Sequence, residues 1–133
     1  MATARTTHPR PDLEAHSYAM RAPFKFVVKE LIDVLGAKLV AYIAGVGETR
    51  AVHEWTTQTR EPKDPNVAPR LRLALQVARL ISQTDTHAVA QAWFQGLNPQ
   101  LDDRSPARLL REGDISEVGP EVVSAARAFV VGG

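Results

Sequence analysis

Residues 41–55 limit the possible folds of this chain more than any other stretch does. A short apolar segment, Ala41-Tyr42-Ile43-Ala44, runs into Gly45 and Gly47, and a second short segment with a polar face follows. Glycine adopts the left-handed backbone that a tight corner between two helices requires. Two short helices joined by a glycine turn are typical of a helix-turn-helix.

The residues before this stretch are expected to add a helix to the bundle. Apolar residues within 24–35 recur at three- and four-residue spacings, with Pro23 at the first position and Gly36 as a stop signal. The predicted helices of the first half therefore cover 23–35, 37–44 and 48–57.

The third predicted helix keeps a polar face towards solvent. Val52 and Trp55 are three residues apart and turn the helix towards the core. Hydroxyl, guanidinium and imidazole groups on the opposite face donate hydrogen bonds to base edges, and basic residues of a following loop meet phosphates. The candidate DNA-binding residues are Thr49, Arg50, His53, Thr57, Arg60 and Lys63. The alternative is an ordinary solvated helix face followed by a solubilising loop.

Charge is distributed unevenly along the chain. Residues 20–80 contain ten Lys and Arg against six Asp and Glu, whereas residues 81–133 contain four against seven. A basic half suits a polyanion such as DNA, although an excess this small is as common on solvated surfaces.

Helical patterns continue into the second half. The segment 69–82 has a narrow polar stripe, so we expect it to be covered on most sides and to join the two halves. Its stripe consists of Arg72, Gln76, Arg79 and, just beyond it, Gln83. No useful length of the chain alternates apolar and polar residues with period two. The sequence therefore predicts an all-α fold.

Capping residues predict the remaining helix boundaries. Thr84 or Asp85 is expected to cap one helix, and Ser105 followed by a proline to cap the next. Gly119 and Pro120 are expected to open the last helix.

Three regions follow from these boundaries. Residues 1–22, rich in Thr, Pro and Arg, are expected to form a mobile N-terminal extension, with a short helical piece over residues 12–16 as an alternative for that part. Residues 23–83 form the helix-turn-helix domain with its connecting helix, and residues 84–133 form a second, small helical domain. Leu97 and Leu101 are expected to be buried in the loop of that second domain.

Several kinds of chemistry have no sequence signal. There is no cysteine, the four histidines lack metal-ligand spacing, and no phosphate-binding loop or nucleophile motif occurs. We therefore expect a protein that is not an enzyme and has neither a metal nor a cofactor. Without a signal peptide or an apolar run long enough to span a membrane, it is expected to be soluble and cytoplasmic, with no membrane partner.

The second half has a pattern that resembles a known family. A helix ends in the pair Trp93-Phe94, and Leu97-Asn98-Pro99-Gln100-Leu101, Ser105-Pro106 and Leu109-Leu110 follow in that order. Over residues 84–133 this resembles the C-terminal toxin-binding domain of the Xre/MbcA/ParS antitoxins.

The first half is similar to the Xre-like helix-turn-helix of the same family. The similarity lies in Ala44-Gly45-Val46, in Val52 and Trp55, and in Pro62. The segment between Gly45 and Val52 is one residue longer than the usual pattern. The resemblance implies an Xre-like helix-turn-helix bundle followed by a small helical toxin-binding domain.

The resemblance also implies a function, that of a type II antitoxin. Such a protein binds a cognate RES-domain toxin, which degrades NAD, and covers the toxin's active site. It commonly forms a homodimer and a hetero-oligomer with the toxin, and it represses its own operon by binding operator DNA. The toxin-binding residues implied are Trp93, Phe94, Asn98, Arg108, Arg111, Arg127, Val131, Gly132 and Gly133.

Each of these implications has an alternative. Trp93 and Phe94 suit a core as well as an interface, and Asn98 suits a cap on its own loop. The whole chain suits a stand-alone transcriptional regulator whose second half dimerises or senses a signal. Glu48 and Glu54, which repel phosphates, suit an adaptor whose helix-turn-helix has lost DNA binding.

Overall fold

Eight α-helices account for most of residues 11–58 and 61–132, the parts of the chain that the computed structural model describes. They are α1 (Pro11–Arg21), α2 (Phe24–Leu35), α3 (Ala37–Ala44), α4 (Thr49–Trp55), α5 (Val67–Ser82), α6 (His87–Gln95), α7 (Pro106–Glu112) and α8 (Ile115–Gly132), with one 3-10 turn at Pro99–Leu101. No strand occurs within these ranges, so the predicted all-α fold is confirmed. None of these helices is long and apolar enough to cross a membrane.

Helix α5 lies at the centre because its apolar side chains point in nearly every direction. Leu71 and Val77, which point to different sides, are fully buried, Leu80 is 6% exposed, and even the polar Gln76 is only 7% exposed. Six helices pack around α5, namely α1, α2, α3, α6, α7 and α8. Burying one leucine or isoleucine stabilises a fold by about 1.5–3 kcal/mol, so covering α5 dominates the packing.

The two halves of the chain share one hydrophobic core. A single buried cluster contains Ile43 of α3 as well as Phe94 of α6. The Gln91 side chain of α6 also donates to the Val34 carbonyl of α2 at 2.9 Å. The regions predicted as separate domains therefore have no separate cores in the structure.

Helix α1 differs from the prediction of a mobile extension over residues 1–22. Ala15 and Ala19 are buried, and α1 packs along α5. Alanine contributes little to an apolar pattern, yet two small residues four apart let helices approach closely. Pro11 occupies the first helical position, where its missing N–H costs nothing. Residues 1–10 lie outside the described residues.

The side chain of Arg72 holds the C-terminal end of α1. Its Nη1 donates to the carbonyls of Ala19 at 3.0 Å and Ala22 at 2.7 Å, and its Nη2 lies 3.1 Å from the Glu61 carboxylate. The last carbonyls of a helix lack partners within that helix. Because the Arg72 side chain is only 16% exposed, these bonds are largely shielded from water.

The corner between α3 and α4 has the predicted geometry. Gly45 has a φ of +89°, and its N–H donates to the Ala41 carbonyl at 3.1 Å. Gly36, with a φ of +86°, separates α2 from α3. Helix α4 is shorter than the predicted 48–57, because Thr56 and Thr57 form a turn in which their hydroxyls donate to carbonyls three residues earlier.

The last helix begins earlier than predicted. Helix α8 starts at Ile115, and Pro120 lies within it at an exposed position, where one helical N–H is missing. Asp114 caps this helix by accepting from the Ser116 N–H and hydroxyl at 2.9 and 2.8 Å. The hydrogen bond from the Ser116 hydroxyl, and to a lesser extent the bond from its N–H, lowers the pKa of the Asp114 carboxyl. The lower pKa keeps the cap charged.

Two further capping predictions have different outcomes. The Ser105 hydroxyl accepts from the N–H three residues on at 3.2 Å, which confirms it as the cap of α7. Helix α6 is instead capped by Thr86, whose hydroxyl accepts from the Val89 N–H at 3.2 Å. Thr84 is bonded to Asp85 at 3.0 Å in the preceding turn, so the prediction of either residue as the cap is wrong.

Replacing Arg72 with alanine is expected to lower the free energy of unfolding by about 2–3 kcal/mol, because shielded carbonyls of α1 lose a charged donor. Chemical denaturation followed by circular dichroism measures the change. Arg108→Ala, which removes an exposed arginine of α7, is the control and is expected to cost less than about 0.5 kcal/mol. Equal costs for the two variants would contradict a structural role for Arg72.

Candidate nucleic-acid interface and partner-binding surface

Helix α4 is anchored on one side and polar on the other. Val52 is fully buried, and Trp55 is 7% exposed and packs edge-on against Phe24 with ring centres 6.0 Å apart. Arg50 and His53 occupy the opposite, exposed side. The buried pair fixes the rotation of this short helix, so the direction of its polar face is defined.

The polar face of α4 carries both signs of charge. Arg50 Nε lies 3.4 Å from the Glu54 carboxylate, and their side chains are 83% and 53% exposed. An exposed pair of this spacing contributes only about 0.3–0.5 kcal/mol, so Arg50 is readily released to another acceptor. Glu48 and Glu54 add negative charge to the same surface and oppose phosphate binding.

The other predicted DNA-binding residues are spread around α4. Thr49 is half-buried at the start of the helix, and Thr57 lies beyond its end with the hydroxyl bonded to the Glu54 carbonyl at 3.0 Å. Lys63 is exposed in the loop before α5. Arg60 lies outside the described residues. The structure therefore brings together Thr49, Arg50 and His53 on α4 itself.

The aromatic pair of the second half lies in the core. Phe94 is fully buried, and Trp93 is 8% exposed. Their rings meet edge to face with centres 5.4 Å apart, and Trp93 also contacts Phe129 of α8 at 6.3 Å. In this position the pair joins α6 to α8. A core position is the alternative to a toxin interface that the sequence left open for both residues.

The loop after α6 is built around Asn98. Its Oδ1 accepts from the Gln100 N–H at 2.9 Å, and its carbonyl accepts from the Asp103 N–H at 2.9 Å. Asp102 and Asp103 both have left-handed backbone conformations, with φ of 57° and 59°. Asn98 thus caps its own loop, and the turn is held in an uncommon shape.

Leu97 is a candidate contact residue that the sequence prediction placed in the core. It is 76% exposed, whereas Leu101 is 1% exposed and buried as predicted. Single exposed leucines are common on protein surfaces, so Leu97 is a candidate because it lies within the sequence pattern from Trp93 to Leu110. The aspartates and proline around it indicate a tight turn, and this was the available local signal that a residue here could be exposed.

The three arginines predicted to bind a toxin contact three different neighbours. Arg108 pairs with Glu112 of its own helix at 3.1 Å, and Arg127 pairs with Asp12 of α1 at 3.4 Å. Arg111 donates to the Tyr42 carbonyl of α3 at 2.7 Å. Their partners therefore lie on three different helices, α7 itself, α1 and α3.

The C-terminal end of α8 is open to solvent. Val131 is 89% exposed and Gly132 is also exposed, while Gly133 lies outside the described residues. Within the described ranges, no three His, Asp or Glu side chains are close enough to hold a metal ion.

Comparison with known proteins gives no significant match, whether to a protein-family model, a curated protein or a solved structure.

Truncating Phe94 and Leu97 to alanine separates a core role from a surface role. Phe94→Ala is expected to cost about 3–5 kcal/mol because it leaves a cavity, and Leu97→Ala about 0.5 kcal/mol or less. Urea denaturation measures both. A small cost for Phe94→Ala would argue against the buried position of its ring.

Proposed function

We propose that this chain is a type II antitoxin, which neutralises a cognate RES-domain toxin and represses its own operon. One observation carries the proposal: the sequence pattern from Trp93 to Leu110 occurs in the same chain as two short helices joined at Gly45. Its work is binding in the cytoplasm, without catalysis and without a cofactor.

The polar face of α4 supports the DNA-binding part of the proposal. Arg50 and His53 are exposed donors on a helix that Val52 and Trp55 fix to the core. A fixed helix with outward donors can present them to base edges in a major groove. A homodimer would present two such helices to a two-fold operator, with half-sites about one helical turn apart.

The loop after α6 supports the toxin-binding part. Leu97 offers an exposed apolar side chain. Asn98 and Gln100, which belong to the sequence pattern of the family, fix the shape of its loop. Val131 and Gly132 form a second exposed apolar end. RES-domain toxins degrade NAD in a cleft, and a protein that covers such a cleft inhibits by excluding the substrate. The complex would be a hetero-oligomer of antitoxin and toxin.

A stand-alone transcriptional regulator is the second candidate function. The shared core favours it, because a second half that packs on the helix-turn-helix can serve to brace or dimerise that motif. This candidate requires no toxin, and DNA binding alone would account for the chain.

Arg50→Ala is expected to weaken binding to the duplex upstream of the chain's own gene by about 1–3 kcal/mol, if Arg50 contacts a base. Glu54→Gln is the matched variant and is expected to strengthen binding, because it frees Arg50 and removes a negative charge. Gel-shift titration at constant salt measures both. Unchanged affinity in Arg50→Ala would remove this residue from the interface.

Co-expression with the product of the adjacent gene tests the antitoxin function. The wild-type chain is expected to restore growth, maintain cellular NAD and co-purify with that product. Leu97→Asp is expected to lose all three effects while it remains folded, whereas Leu13→Asp, at a 55% exposed leucine of α1, is expected to keep them. No rescue and no complex with the wild-type chain would favour the stand-alone regulator.

A further inference from the structure

A shallow depression lies beside the corner of the helix-turn-helix, between α3 and α7. It encloses about 590 Å³, and its rim includes Lys38, Tyr42, Gly47, Glu48, Thr49 and Arg111. Arg111 belongs to the second half of the chain, whereas the other residues belong to the helix-turn-helix. Arg111 completes this rim because α7 packs against α3.

Arg111 is held in place without being neutralised. Its Nη1 donates to the Tyr42 carbonyl at 2.7 Å, and its guanidinium carbon lies 4.7 Å from the centre of the Tyr42 ring. This arrangement leaves further guanidinium N–H groups for another acceptor. No described carboxylate lies within 4.0 Å of it. Among the described residues, the arginines that pair with carboxylates are Arg50, Arg72, Arg79, Arg104, Arg108 and Arg127.

Lys38 extends the positive charge of this rim along α3. It is exposed and lies four residues before Tyr42, so the two side chains share one face of the helix. It too has no described carboxylate within 4.0 Å. Glu48 is the carboxylate on the rim, so two cations face one anion there.

The geometry points to a phosphate-contact site for duplex DNA formed by Lys38 and Arg111, through which the second half of the chain takes part in DNA binding. When the second helix of a helix-turn-helix enters the major groove, the first helix crosses the sugar–phosphate backbone. Here the first helix is α3, whose exposed face carries Lys38 and Tyr42, and Arg111 rests on Tyr42. The inference rests on the proposed DNA-binding function and reassigns Arg111 from toxin to DNA.

Phosphate contacts have a signature that base contacts lack. A guanidinium or ammonium group binds phosphate oxygens regardless of base sequence. Each neutralised phosphate releases counterions, so the logarithm of the affinity falls more steeply with the logarithm of the salt concentration, by about 0.9 per contact. Loss of the site should therefore weaken binding to all duplexes by the same factor and make the affinity less dependent on salt.

Fluorescence anisotropy on the full chain, with salt varied from about 50 to 200 mM, tests the inference. The probes are the duplex upstream of the chain's own gene and a random-sequence duplex of equal length. Arg111→Gln and Lys38→Gln are each expected to reduce the salt slope by about 0.9 on both duplexes, and the double variant by about 1.8. Each single variant should weaken the two duplexes by the same factor.

Three further variants separate a phosphate contact from a structural effect. Arg108→Gln removes the same charge from the same helix, but Arg108 does not line the depression, so the slope should not change. Arg111→Lys keeps the charge and should keep the slope even if the contact with α3 weakens. Glu48→Gln removes the negative charge of the rim and should tighten binding to both duplexes. Thermal unfolding monitored by circular dichroism verifies that each variant is folded.

The possible failures are distinguishable. Unchanged slopes in Arg111→Gln and Lys38→Gln, together with weaker binding by Arg50→Ala, would overturn this inference and leave the proposed DNA binding standing. A slope lost equally in Arg111→Lys and Arg111→Gln would show that Arg111 acts only through packing, and would also overturn it. A wild-type chain that binds neither duplex would overturn the proposed DNA binding together with this site.

Discussion

The burial of α5 is the constraint on which the rest of this structure depends. Leu71, Val77 and Leu80 point to different sides of one helix, and all three are buried. An apolar surface that surrounds a helix must be covered on all sides, and here helices of both halves cover it. The helix-turn-helix and the C-terminal helices therefore close around α5 together and share its core.

Half-buried arginines then fix how the outer helices lie on this core. Arg79 stacks on the Tyr18 ring at 3.5 Å and binds both oxygens of Glu30, at 2.8 and 3.0 Å. Arg72 binds the end of α1 in a similar way. The planar guanidinium group suits such sites because it stacks and donates several bonds at once. Exposed pairs such as that of Arg50 contribute much less to stability.

The shared core also brings two candidate surfaces next to each other. The exposed face of α3 and the polar face of α4 are the surfaces proposed to bind DNA, whereas the end of α7 was expected to face a protein partner. Arg111 and Tyr42 are where these surfaces meet. A residue of the second half, Arg111, therefore lies directly beside the helix-turn-helix and forms part of its surface.

Local features of the chain could be predicted from the sequence by itself. Helical periodicity indicated the all-α class, Gly45 indicated the corner, and Ser105 indicated a helix cap. Each of these features depends on residues only a few positions apart. Only the tertiary structure decided which partners meet across the chain. The Ala15 face of α1 gave too weak an apolar pattern to reveal its packing, and the exposure of Leu97 depended on the shape of its whole loop. Contacts between residues far apart in sequence, such as Arg111 with Tyr42, arise only when all the helices cover α5 at once, and no local pattern records them.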